Sequence, residues 1–229
     1  MADFISKFQL NFIDGNRWKM LLSGLGVTLE VTFLAVILGI VMGFLVAIVR
    51  SAHDKTGKLV ILNAIAKIYT TVVRGTPSLV QLLIIYYVVF ASVDISKVFV
   101  AVIAFGLNSG AYVSEIVRSG IMSTDEGQFE AGRSLGFSYT KTMWYIVLPQ
   151  AFKAVLPALG NEFITLLKET SISGYIALND LTKAGDVIRS RTFDAFMPLI
   201  AVALIYLFLV FIFTKLLGVL EGRLRKSEQ

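Results

Sequence analysis

Hydrophobic and polar residues fall along this chain in long blocks rather than in the short alternations of a water-soluble domain. Charge-free apolar runs cover Val31–Val49, Gly75–Val93, Val98–Ser114 and Ala195–Thr214, close to the roughly 17–25 residues that a helix needs to cross a bilayer. Val98–Ser114 is at the lower limit, so Glu115 is expected inside that helix rather than after it. A fifth apolar segment, Ala154–Leu167, is interrupted by Glu162 and followed at once by Lys168 and Glu169. It is marginal by hydropathy. It is nevertheless assigned as a span, Gln150 to about Ser173, because the charges on either side require an odd number of crossings. Leu59–Val73, broken by Lys67, reads as a further apolar stretch able to form the inner part of the second span, with a bend at Arg74-Gly75-Thr76-Pro77. Near the N-terminus, Phe4, Ile5, Phe8, Phe12 and Ile13 recur at helical spacing, which predicts an amphipathic surface helix anchoring the first span and not a signal peptide. The expectation is an all-α membrane protein with five transmembrane helices in a single domain, 1–229.

Charge orients this arrangement. Arg50, Lys55 and Lys58 follow the first span, Arg118, Arg133 and Lys141 follow the third, and Arg223, Arg225 and Lys226 close the chain. With five spans all three clusters lie on one side, which the positive-inside tendency makes the cytoplasm. The N-terminus is then outside and the C-terminus cytoplasmic, in a multi-pass protein of the cell (inner, cytoplasmic) membrane. Composition agrees: 56% of residues are hydrophobic and 16% charged, with a mean hydropathy of +0.76, whereas soluble domains carry about a quarter charged residues. The absence of cysteine excludes disulfides, iron–sulfur ligation and thiol chemistry, and a single histidine, His53, argues against a zinc or haem site. The net charge of +5 has no soluble basic domain to present it, so no nucleic-acid partner is expected.

One long segment is neither span nor simple loop. Residues from about 119 to 149 lie on the cytoplasmic side, and a connection of that length in a compact domain is usually functional. Glu126–Leu135 suits a helix that Gly136 ends in a left-handed cap. Ser138-Tyr139-Thr140 starts a second short helix, which Leu148-Pro149 is expected to end. Small residues flanked by charge, Glu130-Ala131-Gly132, are expected to form an exposed knob that approaches a partner closely. Glu130-Ala131-Gly132, three residues, Gly136, nine residues and Ile146-Val147-Leu148-Pro149 resemble the EAA loop of permease subunits of ATP-binding-cassette importers. The one departure is Gly132 in place of the third alanine. Gly24–Leu29, Arg74–Gln81, Ala111–Ile121 and Lys168–Ser171 are similar to the polar amino-acid uptake branch of that family, of histidine, glutamine and arginine type. The resemblance spans about residues 20–220. It implies a type I importer permease fold with a cytoplasmic coupling-helix loop. It also implies two permease subunits (a second copy or a paralogue), a cytoplasmic ATPase dimer docked on the loops, and an extracytoplasmic amino-acid-binding protein.

The chain itself has no P-loop, since neither Gly57-Lys58 nor Gly132–Gly136 supplies Gly, four residues, Gly-Lys-Ser/Thr. It is therefore expected not to be an enzyme and to hold no cofactor, with ATP and Mg bound by the partner subunit. Within the loop, Glu130 is the candidate contact to that partner, and Ala131, Gly132 and Gly136 set the fit. Ionisable residues inside spans are costly and usually face a water-filled path or a partner. Glu162 and Glu169, seven apart, share one helical face with Thr165 between them. For a zwitterionic amino acid, Glu169 offers a partner to the ammonium and Lys168, Thr170 and Ser171 offer donors to the carboxylate, with Gln81 and Asn108 on neighbouring spans. The alternative is that Lys168 and Glu169 pair structurally or sit at headgroup level. Glu115 and Arg118, three apart, are expected to pair, Glu30 to snorkel, and His53 to be solvated. A stand-alone secondary transporter or channel would show inverted repeats, an intramembrane enzyme would show a catalytic motif, and a membrane scaffold would not need polar residues along a marginal span.

Overall fold

The structure is a computed structural model that describes residues 2–226; the side chains of Ala2, Arg225 and Lys226, two of them in the basic C-terminal cluster, lie outside the described part. Among the described residues all regular structure is helical: α1 Ala2–Phe8, α2 Trp18–Thr56, α3 Val60–Arg74, α4 Ser78–Ile84, α5 Lys97–Met122, α6 Glu126–Ser134, α7 Tyr139–Thr142, α8 Leu148–Glu169, α9 Leu181–Thr192 and α10 Phe196–Lys226.

Among the described residues three helices are long and apolar enough to cross a membrane: α2, α5 and residues Phe196–Leu224 of α10. Each extends beyond the apolar run that announced it, because polar residues at the ends of a span continue the helix into water. Glu115 accordingly lies inside α5. The expected span over Gly75–Val93 is not one straight helix. Val60–Arg74 and Ser78–Val89 form a bent pair meeting at 108°, which qualifies as a fourth span only when the two halves are taken together. The break falls at Gly75-Thr76-Pro77, where proline removes an intrahelical donor and its ring clashes with the preceding turn. α8 is 22 residues long, but Lys153, Glu162, Lys168 and Glu169 keep it outside the set that crosses by length and composition.

α2 and α5 run parallel and side by side, and the seam is built from small residues. Gly24, Thr28, Thr32, Ala35, Gly39, Gly43, Ala47 and Ser51 form the buried stripe of α2, each three or four residues from the next and so on one face. Gly24, Thr28 and Thr32 meet Asp180, Leu181 and Thr170, and Ala35, Gly39, Gly43 and Ala47 meet α5. A Cβ added at Gly43 would lie 2.5 Å from Val113 Cγ1 and 3.0 Å from Gly110 O, and one at Gly39 would lie 2.8 Å from Ser109 Oγ. The backbones therefore touch only because these positions are glycine. Gly43→Leu is expected to destabilise the folded protein by about 1–3 kcal/mol through overpacking, read as a lower unfolding temperature in detergent; an unchanged transition would contradict the seam.

The N-terminal segment departs from a simple surface helix. α1 passes into a wide π turn, Gln9–Ile13, and while Phe4, Ile5, Phe8 and Ile13 stay exposed, Phe12 packs beside Leu21 and Ile188. Asn11 is fully buried. Its Nδ2 donates to Asp194 Oδ2 at 2.8 Å and its Oδ1 accepts from Thr192 at 2.8 Å, which fixes the segment to the corner between α9 and α10.

Candidate functional site

The helix break at Pro77 creates the first element of the site. Without an N–H at Pro77, the Val73 carbonyl loses its intrahelical partner, and a buried orphan acceptor is costly. The Gln81 amide nitrogen supplies the missing donor, 2.7 Å from Val73 O and 2.8 Å from Thr76 Oγ1. Its own oxygen then accepts from Asn108 Nδ2 at 3.0 Å. Next to Asn108 on α5, Ser109 donates to Glu162 Oε1 of α8 at 2.9 Å. Gln81, Asn108 and Glu162 are thus brought together by neighbouring links, through Ser109, which the sequence analysis did not single out.

On α8, Glu162, Thr165 and Glu169 occupy one face, with Thr165 exposed and both carboxylates partly so. One turn from Glu162, Ala158 enters a groove of about 470 Å³ between α5 and α8, lined also by Glu115, Ile116, Ser119, Gly120, Ser123, Ala154 and Val155. Ser119, Gly120, Ser123 and Ala154 carry the groove towards the end of the molecule that holds Thr56 and Met122, called here the loop end.

The remaining predicted residues lie elsewhere. Thr170 is fully buried, its hydroxyl donating to Leu167 O at 2.9 Å and lying 3.4 Å from Thr32 Oγ1 of α2. Lys168 and Ser171 line a cavity of about 300 Å³ against α10, with Thr182, Val202 and Tyr206. Adjacent residues on a helix point about 100° apart, and Lys168 therefore faces α10 while Glu169 faces the groove side. Among the described residues the Glu169 carboxylate forms neither a hydrogen bond nor an ion pair. Ser171 also borders a second cavity, of about 460 Å³, with Lys183, Asp186 and Arg189 of α9. Hydrogen bonds from Arg189 and Lys183 hold the Asp186 carboxyl below the usual carboxylate range. No cluster of three or more metal-ligating side chains is present among the described residues.

At the loop end, α6 and α7 form a compact helical turn. Asp125 caps α6 by accepting from Gly127 N at 2.6 Å. The left-handed cap expected at Gly136 is present, with φ of 78°; Phe137 N bonds to Gly132 O and Gly136 N to Arg133 O, each at 2.9 Å, the pairing of a Schellman motif. Ser138 starts α7, as its position suggested. The expected end at Leu148-Pro149 is not found. Met143–Val147 forms a π turn, and the chain runs on into α8 with Pro149 in its first turn, where a missing N–H is tolerated. Glu130 and Ala131 are exposed, but Gly132 is buried. A Cβ there would lie 2.5 Å from Thr142 Oγ1 and 2.7 Å from Thr142 Cγ2. Gly132 therefore serves the contact between α6 and α7 inside the loop, not the exposed surface expected of it. A cavity of about 380 Å³ opens beside Glu130, bordered by Lys55, Glu126, Phe129, Arg133 and Tyr139.

Charges between these parts were only partly legible. Glu115 pairs with Arg118 as expected, at 3.2 Å. It also takes Arg50 of α2 as an ion-pair partner and has Arg74, the last residue before the break, at 3.7 Å. Arg118 reaches Asp54 at 3.2 Å. Arg50 and Asp54 lie one turn apart on α2, a spacing visible in the sequence, but their partners on α5 are set by the parallel packing of the two helices.

Comparison with known proteins follows the same lines. A family model described as a binding-protein-dependent transport system inner membrane component matches residues 39–226. The L-cystine transport system permease protein TcyB of Bacillus subtilis is 37% identical over 216 residues, covering 93% of this chain and 90% of that protein. The arginine transport system permease protein ArtQ of the same organism is 39% identical over 210 residues, covering 91% and 94%. Among solved structures, an amino acid ABC transporter crystallised with histidines superimposes with a TM-score of 0.82 at 42% identity, over 93% of this chain and 98% of that one. The inward-facing MetNI methionine ABC transporter shares the fold, with a TM-score of 0.75 at 19% identity over 91% of this chain and 96% of that one.

Proposed function

This chain belongs to the family of binding-protein-dependent transport system inner membrane components, and on that premise we propose that it is the membrane-spanning permease subunit of an ATP-driven amino-acid importer. The observation that carries the reading is the α5–α8 groove, which begins one turn below Glu162 and leads towards the loop end where α6 exposes Glu130 and Ala131. Two permease subunits, copies or paralogues, face each other across their grooves and enclose the path. In that arrangement α8 is the fifth crossing: its polar face turns to water in the path, and it does not need the apolar composition of a lipid-facing helix. The N-terminus is outside and the basic clusters cytoplasmic, in a single permease domain.

Along the path, Glu169 and Glu162 receive the amino acid's ammonium; the Gln81 amide nitrogen is already engaged with Val73 and Thr76, and the second N–H of Asn108 is the donor left for its carboxylate. Buried hydrogen-bonded partners of this kind discriminate by leaving the site unsatisfied when the ligand lacks the matching group. ATP and Mg are bound by separate cytoplasmic subunits, which dock on α6 through Glu130, with Ala131 at the contact and Gly132 and Gly136 shaping the loop behind it. A binding protein on the outer side delivers the substrate. The test is reconstitution in vesicles with the co-expressed ATPase and the cognate binding protein. ATP hydrolysis and uptake that rise together on adding one amino acid are expected; uptake that proceeds without ATPase or ATP would support a stand-alone transporter instead.

A further inference from the structure

The loop end of α2 holds two bodies at once. Arg50 and Asp54 grip α5 through Glu115 and Arg118. Lys55, the next residue, points to α6, where its Nζ lies 2.7 Å from Glu126 Oε1 and 5.3 Å from the centroid of the Phe129 ring. Phe129 in turn stacks on Tyr139 of α7, with centroids 5.7 Å apart and planes inclined by 11°. Although Glu126 is 82% exposed, the Lys55 side chain is only 19% exposed, its stem enclosed and its head between a carboxylate and a ring face. Hydrogen-bonded to that ammonium, the Glu126 carboxyl is held below the usual carboxylate range.

An exposed ion pair alone contributes little, but a lysine held by a carboxylate and a ring face together has a direction. α6 needs one. It has nine residues, too few to be stable by itself; Phe129 packs it on the core beside α5 and Gly132 on Thr142 of α7, and Lys55 adds the link to the end of α2. We propose that Lys55 is a positioning residue for coupling: it fixes the angle of α6 against the end of α2, so that a displacement of α6 passes to α2 and, through Arg50 and Asp54, to α5 beside the groove. This rests on the reading of α6 as the element on which the ATPase docks.

The test uses the whole complex in vesicles, with Lys55→Glu, Lys55→Gln, Lys55→Arg, Glu126→Lys and the Lys55→Glu/Glu126→Lys exchange. The readout is amino-acid uptake per ATP hydrolysed, with ATPase co-purification measured alongside. Lys55→Glu and Glu126→Lys are expected to lower that ratio about two- to fivefold, the range that an ion pair and one cation–π contact support. The ATPase should stay bound, Lys55→Arg should keep the ratio near wild type, and the exchange should recover at least part of the loss. If Lys55→Glu is poorly inserted, Lys55→Gln carries the test, with a loss in the same direction. A ratio unchanged in the inserted variants, or an exchange no better than the worse single variant, overturns the tether while leaving the importer reading intact. A wild-type complex without amino-acid-dependent ATP hydrolysis overturns both.

Discussion

Gly132→Leu is expected to reduce ATP-driven uptake about tenfold or more and to weaken co-purification of the ATPase, while the permease itself still inserts. Even the Cβ of the new side chain would stand 2.5 Å from Thr142 Oγ1 and 3.1 Å from Thr142 Cβ. Thr142 cannot move aside easily, since it is buried and its hydroxyl donates to Ser138 O at 3.2 Å. α6 must therefore lift away from α7, and overpacking of this kind costs about 1–3 kcal/mol. The spans are not part of this contact, so insertion survives. A second variant separates the internal role from direct contact with the partner: if Gly132 acts by packing, Gly132→Ala should be impaired and Gly132→Ala/Thr142→Ala should recover. Failure of the threonine change to rescue, with Gly132→Ala impaired, would place the glycine at the ATPase surface instead. Full uptake by Gly132→Leu would remove the loop from the coupling path altogether.

Glu169→Ala is expected to lower the amino-acid-dependent stimulation of ATP hydrolysis about tenfold or more, because a hydrogen bond to a charged group contributes about 1.5–3 kcal/mol. Its carboxylate has no hydrogen-bond partner among the described residues and shares an α8 face with Glu162, which leaves it available to a ligand ammonium. Glu169→Gln keeps an acceptor without the charge and should fall between wild type and Glu169→Ala. Glu162→Gln should also be impaired, since its carboxylate already accepts from Ser109 at 2.9 Å and ties α8 to the Gln81–Asn108 amides. Glu30→Gln, at an exposed position of α2, serves as the control and should behave as wild type. Wild-type stimulation by Glu169→Ala would retire it from the path.

Much of this could be read along the chain because it depends on local composition. The apolar runs mark α2, α5 and α10, because transfer into hydrocarbon is decided residue by residue. Gly136 marks the end of α6, because the left-handed conformation favours glycine wherever it occurs. Even the bend at Arg74–Pro77 follows from proline's missing donor. Local pattern misleads where two segments must be known at once: Gly132, expected at the surface, faces Thr142, and Lys168, Thr170 and Ser171, expected beside Glu169, each meet different neighbours in the structure. The helix end expected at Pro149 fails for a local reason, because a proline in the first turn of α8 loses nothing by its missing N–H.

By itself, then, the sequence determined that the chain is helical and apolar enough for a membrane, where most of its helices run, and which loop carries the Glu130–Gly136 pattern. Only the tertiary structure decided which polar groups meet. Ser109 and Glu162 are 53 positions apart in the chain, and Lys55 and Glu126 are 71 apart. Such pairs are set by how closely α2, α5 and α8 approach, and that distance is controlled by glycines on one helix facing side chains on another. No local pattern encodes it, because each glycine in the seam looks the same in the sequence whether it faces lipid, solvent or a neighbouring backbone.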